Sequence, residues 1–212
     1  MSVEALFLDL DHTLFDPEAI PRSVAESVFA ELREANRRMR GISEGALESS
    51  ILELMGSPIT LVAQKYGWPD SLRQACLEAS ALVVLPDVLP VYPDVAAVVQ
   101  LPQRKILVTT GIPAVQLQKV QALGLRGWIA EVHIDDVMAV PRRGKRAVFE
   151  AILEQERLGP EGVVVVGDRL ESEIAAGAAL NLRTVHIARR GCSSGCPATH
   201  CLPDLLRLGD IL

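Results

Sequence analysis

Aromatic side chains are scarce in this chain, at 4% of 212 residues, and only four cysteines are present. So few rings mean that any core must be built from aliphatic packing, and hydrophobic residues at 49% suffice for that. Four cysteines do not make a disulfide scaffold. No apolar run approaches the ~18 residues that a membrane-spanning helix needs. Basic residues are outnumbered, with 21 Lys and Arg against 27 Asp and Glu and a net charge of -6. A general binder of nucleic-acid polymer would need a cationic surface, so that class is excluded, while a small anion held by a local cation is not. The first residues, Met1-Ser2-Val3-Glu4, lack the basic and apolar regions of a secretory leader. A cytoplasmic location with reduced cysteines is the expectation, without membrane association. Repeats and low-complexity segments are absent, and nothing sets an oligomeric state.

Five short apolar runs read as strands, at residues 5–8, 105–108, 129–134, 162–166 and 183–187. Most are continuous rather than alternating, as expected of parallel strands covered on both faces. Helical patterns at 113–123, 145–158 and 171–180 lie between the later runs; the first begins with Pro113 and is followed by Gly124. Strand alternating with helix implies a doubly wound, Rossmann-like parallel α/β sheet. Residues 16–102 break that rhythm. They contain helical stretches at 20–40, 44–55, 59–66 and 71–84 but no convincing strand, and Pro86, Pro90 and Pro93 mark the way back. The expected organisation is a core of residues 1–15 and 103–212 interrupted by an all-helical domain at 16–102.

The first apolar run ends in Asp9-Leu10-Asp11-His12-Thr13. Two carboxylates two residues apart point the same way and repel unless a cation or shared proton compensates. In an open α/β sheet, ligands bind outside the carboxyl ends of the strands. Thr109 follows Ile106-Leu107-Val108 and Asp168 follows Val163-Val164-Val165-Val166-Gly167, so both should converge on Asp9 and Asp11.

Taken in order, Asp9-Leu10-Asp11-His12-Thr13, Val108-Thr109-Thr110-Gly111, Lys145 and Gly167-Asp168-Arg169-Leu170-Glu171-Ser172-Glu173 resemble the four motifs of the haloacid dehalogenase (HAD) superfamily. The resemblance covers the core nearly end to end, and the helical insertion after the first motif is similar to the cap of the phosphatase branch. It implies a Mg2+-dependent phosphatase acting on a small phosphorylated metabolite. Asp9 would be the nucleophile and Asp11 the general acid and base. The metal ligands would be the Asp9 carboxylate, the Asp11 backbone carbonyl, Asp168 and Glu173. Thr13, Thr109, Thr110 and Lys145 would bind the substrate's phosphoryl group.

This chain departs from the pattern in three places. Glu173 stands where an aspartate is usual, with Glu171 a rival two residues earlier. Thr110 replaces the more frequent Asn or Ser, and Lys145 is followed by Arg146 rather than proline. Plainer readings exist for each residue: paired aspartates turn a chain, Thr109 can cap a turn, Glu173 can sit on a helix surface, and Arg142, Arg143 and Arg146 compete with Lys145. Cys192, Cys196, His200 and Cys201 do not follow the common zinc spacing and read as a thiol-bearing loop. His133, Asp135 and Asp136 read as a loop edge, and Arg33, Arg37, Arg38 and Arg40 as a solvated helix face. Competing functions are a phosphosugar mutase, a 2-haloacid dehalogenase of the same fold, which would not need Asp11, and a non-catalytic binding module, which would not need intact Asp9, Asp11 and Asp168.

Overall fold

A computed structural model describes residues 2–54, 56–189, 191 and 195–212. Met55, assigned above to a helix end, and Cys192 lie outside the described residues. The described chain packs as two units, one of residues 1–16, 90–111 and 123–212, the other of 17–89 and 112–122.

The first unit is built on a six-stranded sheet of order β3-β2-β1-β4-β5-β6, all pairs parallel: β1 (Ala5–Leu8), β2 (Arg104–Gly111), β3 (Glu131–Asp136), β4 (Val163–Gly167), β5 (Arg183–Ile187) and β6 (His200–Leu202). The continuous apolar runs follow from burial on both faces. Ala5, Phe7, Ile106, Val108, Val163 and Val165 pack with Val148, Phe149 and Ile152 of α7 (Gly144–Glu156), while the alternate residues Leu6, Leu8, Leu107, Val164 and Val166 are just as buried. All five expected strands are present. β6 was not legible, since three half-buried residues at a sheet edge carry no hydrophobic signal. The 129–134 run extends to Asp136, so His133, Asp135 and Asp136 belong to β3 and not to a loop edge. The expected helix at 171–180 is a π-turn (Leu170–Ile174) running into one short α-helical segment (Ala175–Ala178).

The second unit contains α1 (Ser23–Met39), α2 (Glu44–Leu54), α3 (Ile59–Lys65), α4 (Asp70–Ala81) and α6 (Pro113–Ala122). Apolar residues at helical spacing, Val28, Leu32 and Ala35 on α1 and Leu72 and Cys76 on α4, form its core with Leu47, Ile51, Val62 and Trp68. The Asn36 amide bridges the turn between α1 and α2, accepting from the Ile42 N–H (2.8 Å) and donating to the Ile42 carbonyl (2.9 Å). Packing divides the chain differently from the expected boundaries. Helix α6 joins the helical unit because Gln118 accepts from the Leu85 N–H and donates to the Val83 carbonyl, and the Leu89 N–H reaches the Ala122 carbonyl. Residues 90–102, with the unforeseen α5 (Val95–Val99), join the sheet unit. Arg33 pairs with Glu48 and Arg37 with Glu34, as a solvated helix face requires. No helix among the described residues is long and apolar enough to cross a membrane.

Phe149 ties α7 to the sheet, its ring centroid 5.3 Å from that of Phe7. Phe149→Ala is expected to cost about 3–5 kcal/mol of unfolding free energy, the usual loss for a fully buried ring, read from the urea midpoint at unchanged slope.

Candidate active site

Strand order decides where the site forms. From β1 the chain runs outward through β2 and β3, then returns to the other side of β1 and runs outward through β4 to β6. The order reverses between β1 and β4, the place where an open α/β sheet leaves a crevice. Asp9 follows β1 and Asp168 follows β4, and register puts them side by side: Leu8 pairs with Val166, and the Asp9 N–H donates to the Val166 carbonyl at 2.9 Å.

Carboxylate oxygens of Asp9, Asp168 and Glu173 lie within 4.8 Å of one another. Into this group Lys145 inserts its ammonium, with Nζ 2.5 Å from Asp9 Oδ1 and 2.8 Å from Glu173 Oε2. Asp9, Lys145 and Glu173 are all buried. The rival cations are engaged elsewhere: Arg142 with Asp135, Arg143 with the Ala147 carbonyl, Arg146 with Glu150. Glu173, not Glu171, is the inward acid. Glu171 is exposed and pairs with Arg169, whereas Glu173 Oε1 accepts the Arg169 N–H at 2.6 Å. Gly167 makes this possible, because a Cβ there would stand 2.2 Å from Glu173 Cγ.

The position of Lys145 rests on Asp135, a residue whose role the sequence did not suggest. Its buried carboxylate accepts from the Gly144 N–H (2.9 Å), from Arg142 and from the Thr110 hydroxyl (3.1 Å). Gly144 adopts φ +77°, open to glycine at little cost, and delivers Lys145 to the first turn of α7. Thr109 and Thr110 are successive residues within β2 and so point to opposite faces. Thr109 is buried, and the Thr110 hydroxyl donates to Asp135. The Thr13 hydroxyl is buried with no hydrogen-bond partner among the described residues.

Arg189 also escaped the sequence reading. It donates to the carbonyls of His12 (3.1 Å) and Thr13 (2.7 Å), grips both oxygens of Asp94, and stacks 3.6 Å from the Tyr92 ring centroid. His12 sits at φ +58°, a conformation that costs energy outside glycine, and Arg189 holds the turn that needs it. No sequence signal links residues this far apart.

Three carboxylates share one ammonium, so full ionisation would bury an excess of negative charge. Burial pushes the Asp9 carboxyl up from 3.8 to about 7, with Lys145 opposing and Glu173 adding to the rise. Burial, then the charges of Asp9 and Glu173, push Asp168 from 3.8 to about 8. Burial alone would raise Glu173 too, but Lys145 and the Arg169 N–H outweigh it and hold that carboxyl below its ordinary value. Burial also works against the Lys145 charge, and Asp9 and Glu173 overcome it, so Lys145 stays protonated. Asp168 Oδ1 is buried without a partner among the described residues. A crowded set of hard oxygens, short of positive charge and with one oxygen unsatisfied, fits a divalent cation such as Mg2+.

These shifts give a sign for pH dependence. Unfolded Asp168 releases its proton near 3.8 and folded Asp168 near 8, so the ion-free folded state loses stability as pH rises across that window. In chelator, Asp168→Asn should therefore melt progressively higher than wild type from about pH 5 to about pH 8, with a level difference above that. Scanning calorimetry at several pH values checks it. For the turn, Arg189→Ala leaves Asp94 buried and unpaired and is expected to cost about 3–5 kcal/mol in a urea titration; Arg189→Lys recovers only part, since an ammonium cannot make the forked contact.

Comparison with known proteins agrees with this architecture. A family model for haloacid dehalogenase-like hydrolases matches residues 3–181. Glyceraldehyde 3-phosphate phosphatase of Methanopyrus kandleri is 28% identical over 204 residues, covering 88% of this chain and 84% of that protein. Among solved structures, the HAD hydrolase YfnB of Bacillus subtilis bound to magnesium superposes with a TM-score of 0.60 at 17% identity, over 100% of this chain and 99% of that one. The L-2-haloacid dehalogenase of Xanthobacter autotrophicus with covalently bound chloropropionic acid gives 0.56 at 17% identity, over 99% and 98%. At such identities the structures speak for the fold alone, whereas the family model spans most of the sequence: the chain belongs to the haloacid dehalogenase-like hydrolases.

Proposed function

We propose that this hydrolase is a Mg2+-dependent phosphatase of small phosphomonoesters working through an aspartyl-phosphate. The observation that carries the reading is the buried contact of Lys145 with Asp9 at the point where the strand order reverses, with Asp168 alongside. The relative named for glyceraldehyde 3-phosphate makes short phosphorylated carbon chains the first substrates to consider.

In this mechanism a carboxylate oxygen of Asp9 attacks phosphorus, and the ester oxygen departs with a proton from Asp11. Asp11, now a carboxylate, takes a proton from the water that cleaves the acyl phosphate, which releases inorganic phosphate and regenerates Asp9. The Lys145 ammonium favours the ionised, nucleophilic form of Asp9 against its burial and offsets charge on the phosphoryl oxygens. Glu173 holds Lys145 in place through Oε2 and the Arg169 backbone through Oε1. Asp9 and Asp168, with the Asp11 backbone carbonyl, would ligate the ion, and Glu173 would support it from beside them. A bound Mg2+ supplies charge that draws the anionic ester toward the carboxylates and stabilises the transition state. Thr109 and Thr13 would supply hydroxyls toward the phosphoryl group. Asp11 weighs against the dehalogenase reading, because displacement of halide from carbon needs neither a leaving-group acid nor a cation.

Phosphate release from p-nitrophenyl phosphate and from glyceraldehyde 3-phosphate tests the proposal. The expected outcome is turnover that chelator abolishes and Mg2+ restores, with Asp9→Asn reducing kcat on the order of 10³-fold or more. Metal-independent turnover, or an Asp9→Asn enzyme that retains full activity, overturns it.

A further inference from the structure

The second cluster of metal-binding side chains lies behind Asp168, on the far strands of the sheet. His186 Nδ1, Cys196 Sγ and Cys201 Sγ fall within 4.8 Å of one another, with Nδ1 3.5 Å from the first sulfur and 3.6 Å from the second. His186 belongs to β5, Cys201 to β6, and Cys196 to the segment between them. The reading of this segment as a thiol-bearing loop missed the cluster, because two cysteines five apart match no common zinc spacing and the third ligand is His186, ten residues upstream in a strand, not His200.

We propose that, in the reduced chain, His186, Cys196 and Cys201 form a binding site for a soft or borderline divalent cation, Zn2+ foremost, that is separate from the carboxylate site and braces Asp168 from behind. Geometry supports this in two ways. A tetrahedral zinc with bonds of about 2.3 Å to sulfur and about 2.05 Å to nitrogen places those atoms about 3.6 Å apart. Both sulfur–nitrogen separations already have that value. The other ring nitrogen, Nε2, lies 2.9 Å from the Asp168 carbonyl oxygen, which can only accept. Nε2 therefore carries the proton, Nδ1 presents its lone pair to the sulfurs, and the ring is fixed in the tautomer a metal requires. Two thiolates and an imidazole select zinc over magnesium, and two negative charges match the ion's two positive ones. Three protein ligands leave a fourth tetrahedral position for solvent.

The expectation that the cysteines are reduced holds for Cys76 and Cys196, which are free; Cys201 is in a disulfide. Its sulfur becomes a ligand only after a reductant opens that bond, a dithiol leaving as its own disulfide or a phosphine leaving as its oxide with the oxygen of water. Each ligating thiol then gives its proton to solvent as the metal binds. Disulfide and metal thus exclude one another, and the occupant of this corner decides how firmly His186 holds the backbone of Asp168.

Co2+ titration of the full chain, reduced with a phosphine and then freed of metal, reads the site independently of turnover. Co2+ bound to sulfur gives an intense thiolate-to-metal charge-transfer band that a carboxylate site cannot produce. One equivalent per chain should develop this band, Zn2+ should abolish it, and the unreduced protein should lack it. Cys196→Ser and His186→Gln, each first shown to be folded by circular dichroism, should each weaken Co2+ binding at this band at least about 100-fold. Cys76 does not compete, since burial pushes its thiol up to about 11. Absence of the band in reduced, folded wild type overturns the proposal, as does a band that survives undiminished in both variants.

Discussion

The ammonium of Lys145 is the contact on which the rest of the site depends. It bridges carboxylates from the end of the first strand and from the turn after the fourth, and it does so where water is excluded. An ion pair in such a place repays its desolvation only when geometry is good and the remaining lone pairs are satisfied. Much of the surrounding structure serves that condition: Asp135 fixes the start of α7, Gly144 turns the chain into it, and Gly167 leaves room for Glu173 to reach inward. Phe149, further along the same helix, packs it against Phe7 of the sheet. The lysine nonetheless falls short of neutralising its neighbours, and this shortfall is what suits the site to a further cation.

The same arithmetic explains why the fold and the acidic strand ends were legible in the sequence. A strand buried on both faces has no polar residues to spare, so an acid at its end stands out; Asp9 and Asp168 are conspicuous for that reason. Thr109 is visible by the same logic. Choosing Glu173 over Glu171 was beyond the sequence, because both follow the strand at short range and a π-turn decides which faces inward. The Thr110 hydroxyl reaches Asp135 because β2 continues past Val108, and successive threonines take opposite faces of the sheet.

Residues that act through long-range contacts left no trace at all. Arg189 meets carbonyls 176 and 177 positions earlier and a carboxylate 95 positions earlier, and only the folded chain brings these together. Asp94, next to Pro93, is buried, and besides pairing with Arg189 it accepts the Leu205 N–H. Asp135 was hidden by its neighbours, since His133, Asp135 and Asp136 at the end of an apolar run resemble a loop edge until β3 is seen to run through them. Helix α6 shows the limit for domains: it follows a sheet strand and so reads as part of the core, yet its Gln118 spends its hydrogen bonds on residues of the helical unit.

Asp168 stands between two kinds of coordination chemistry. Its carboxylate belongs to a group of hard oxygens suited to magnesium, and its carbonyl accepts a hydrogen bond from the imidazole that faces two sulfurs. A metal ligand is only as well placed as the backbone behind it, and a displacement near 1 Å at a reacting group can cost on the order of 10²-fold in rate. Holding the carbonyl of Asp168 therefore constrains the carboxylate without touching it. Neither ion has to compete for the other's ligands, because hardness separates them: the oxygens bind zinc poorly in the presence of thiolates, and the thiolates do not bind magnesium. What the two proposed sites share is the residue Asp168, and through it the oxidation state of a thiol would reach the proposed phosphoryl-transfer centre.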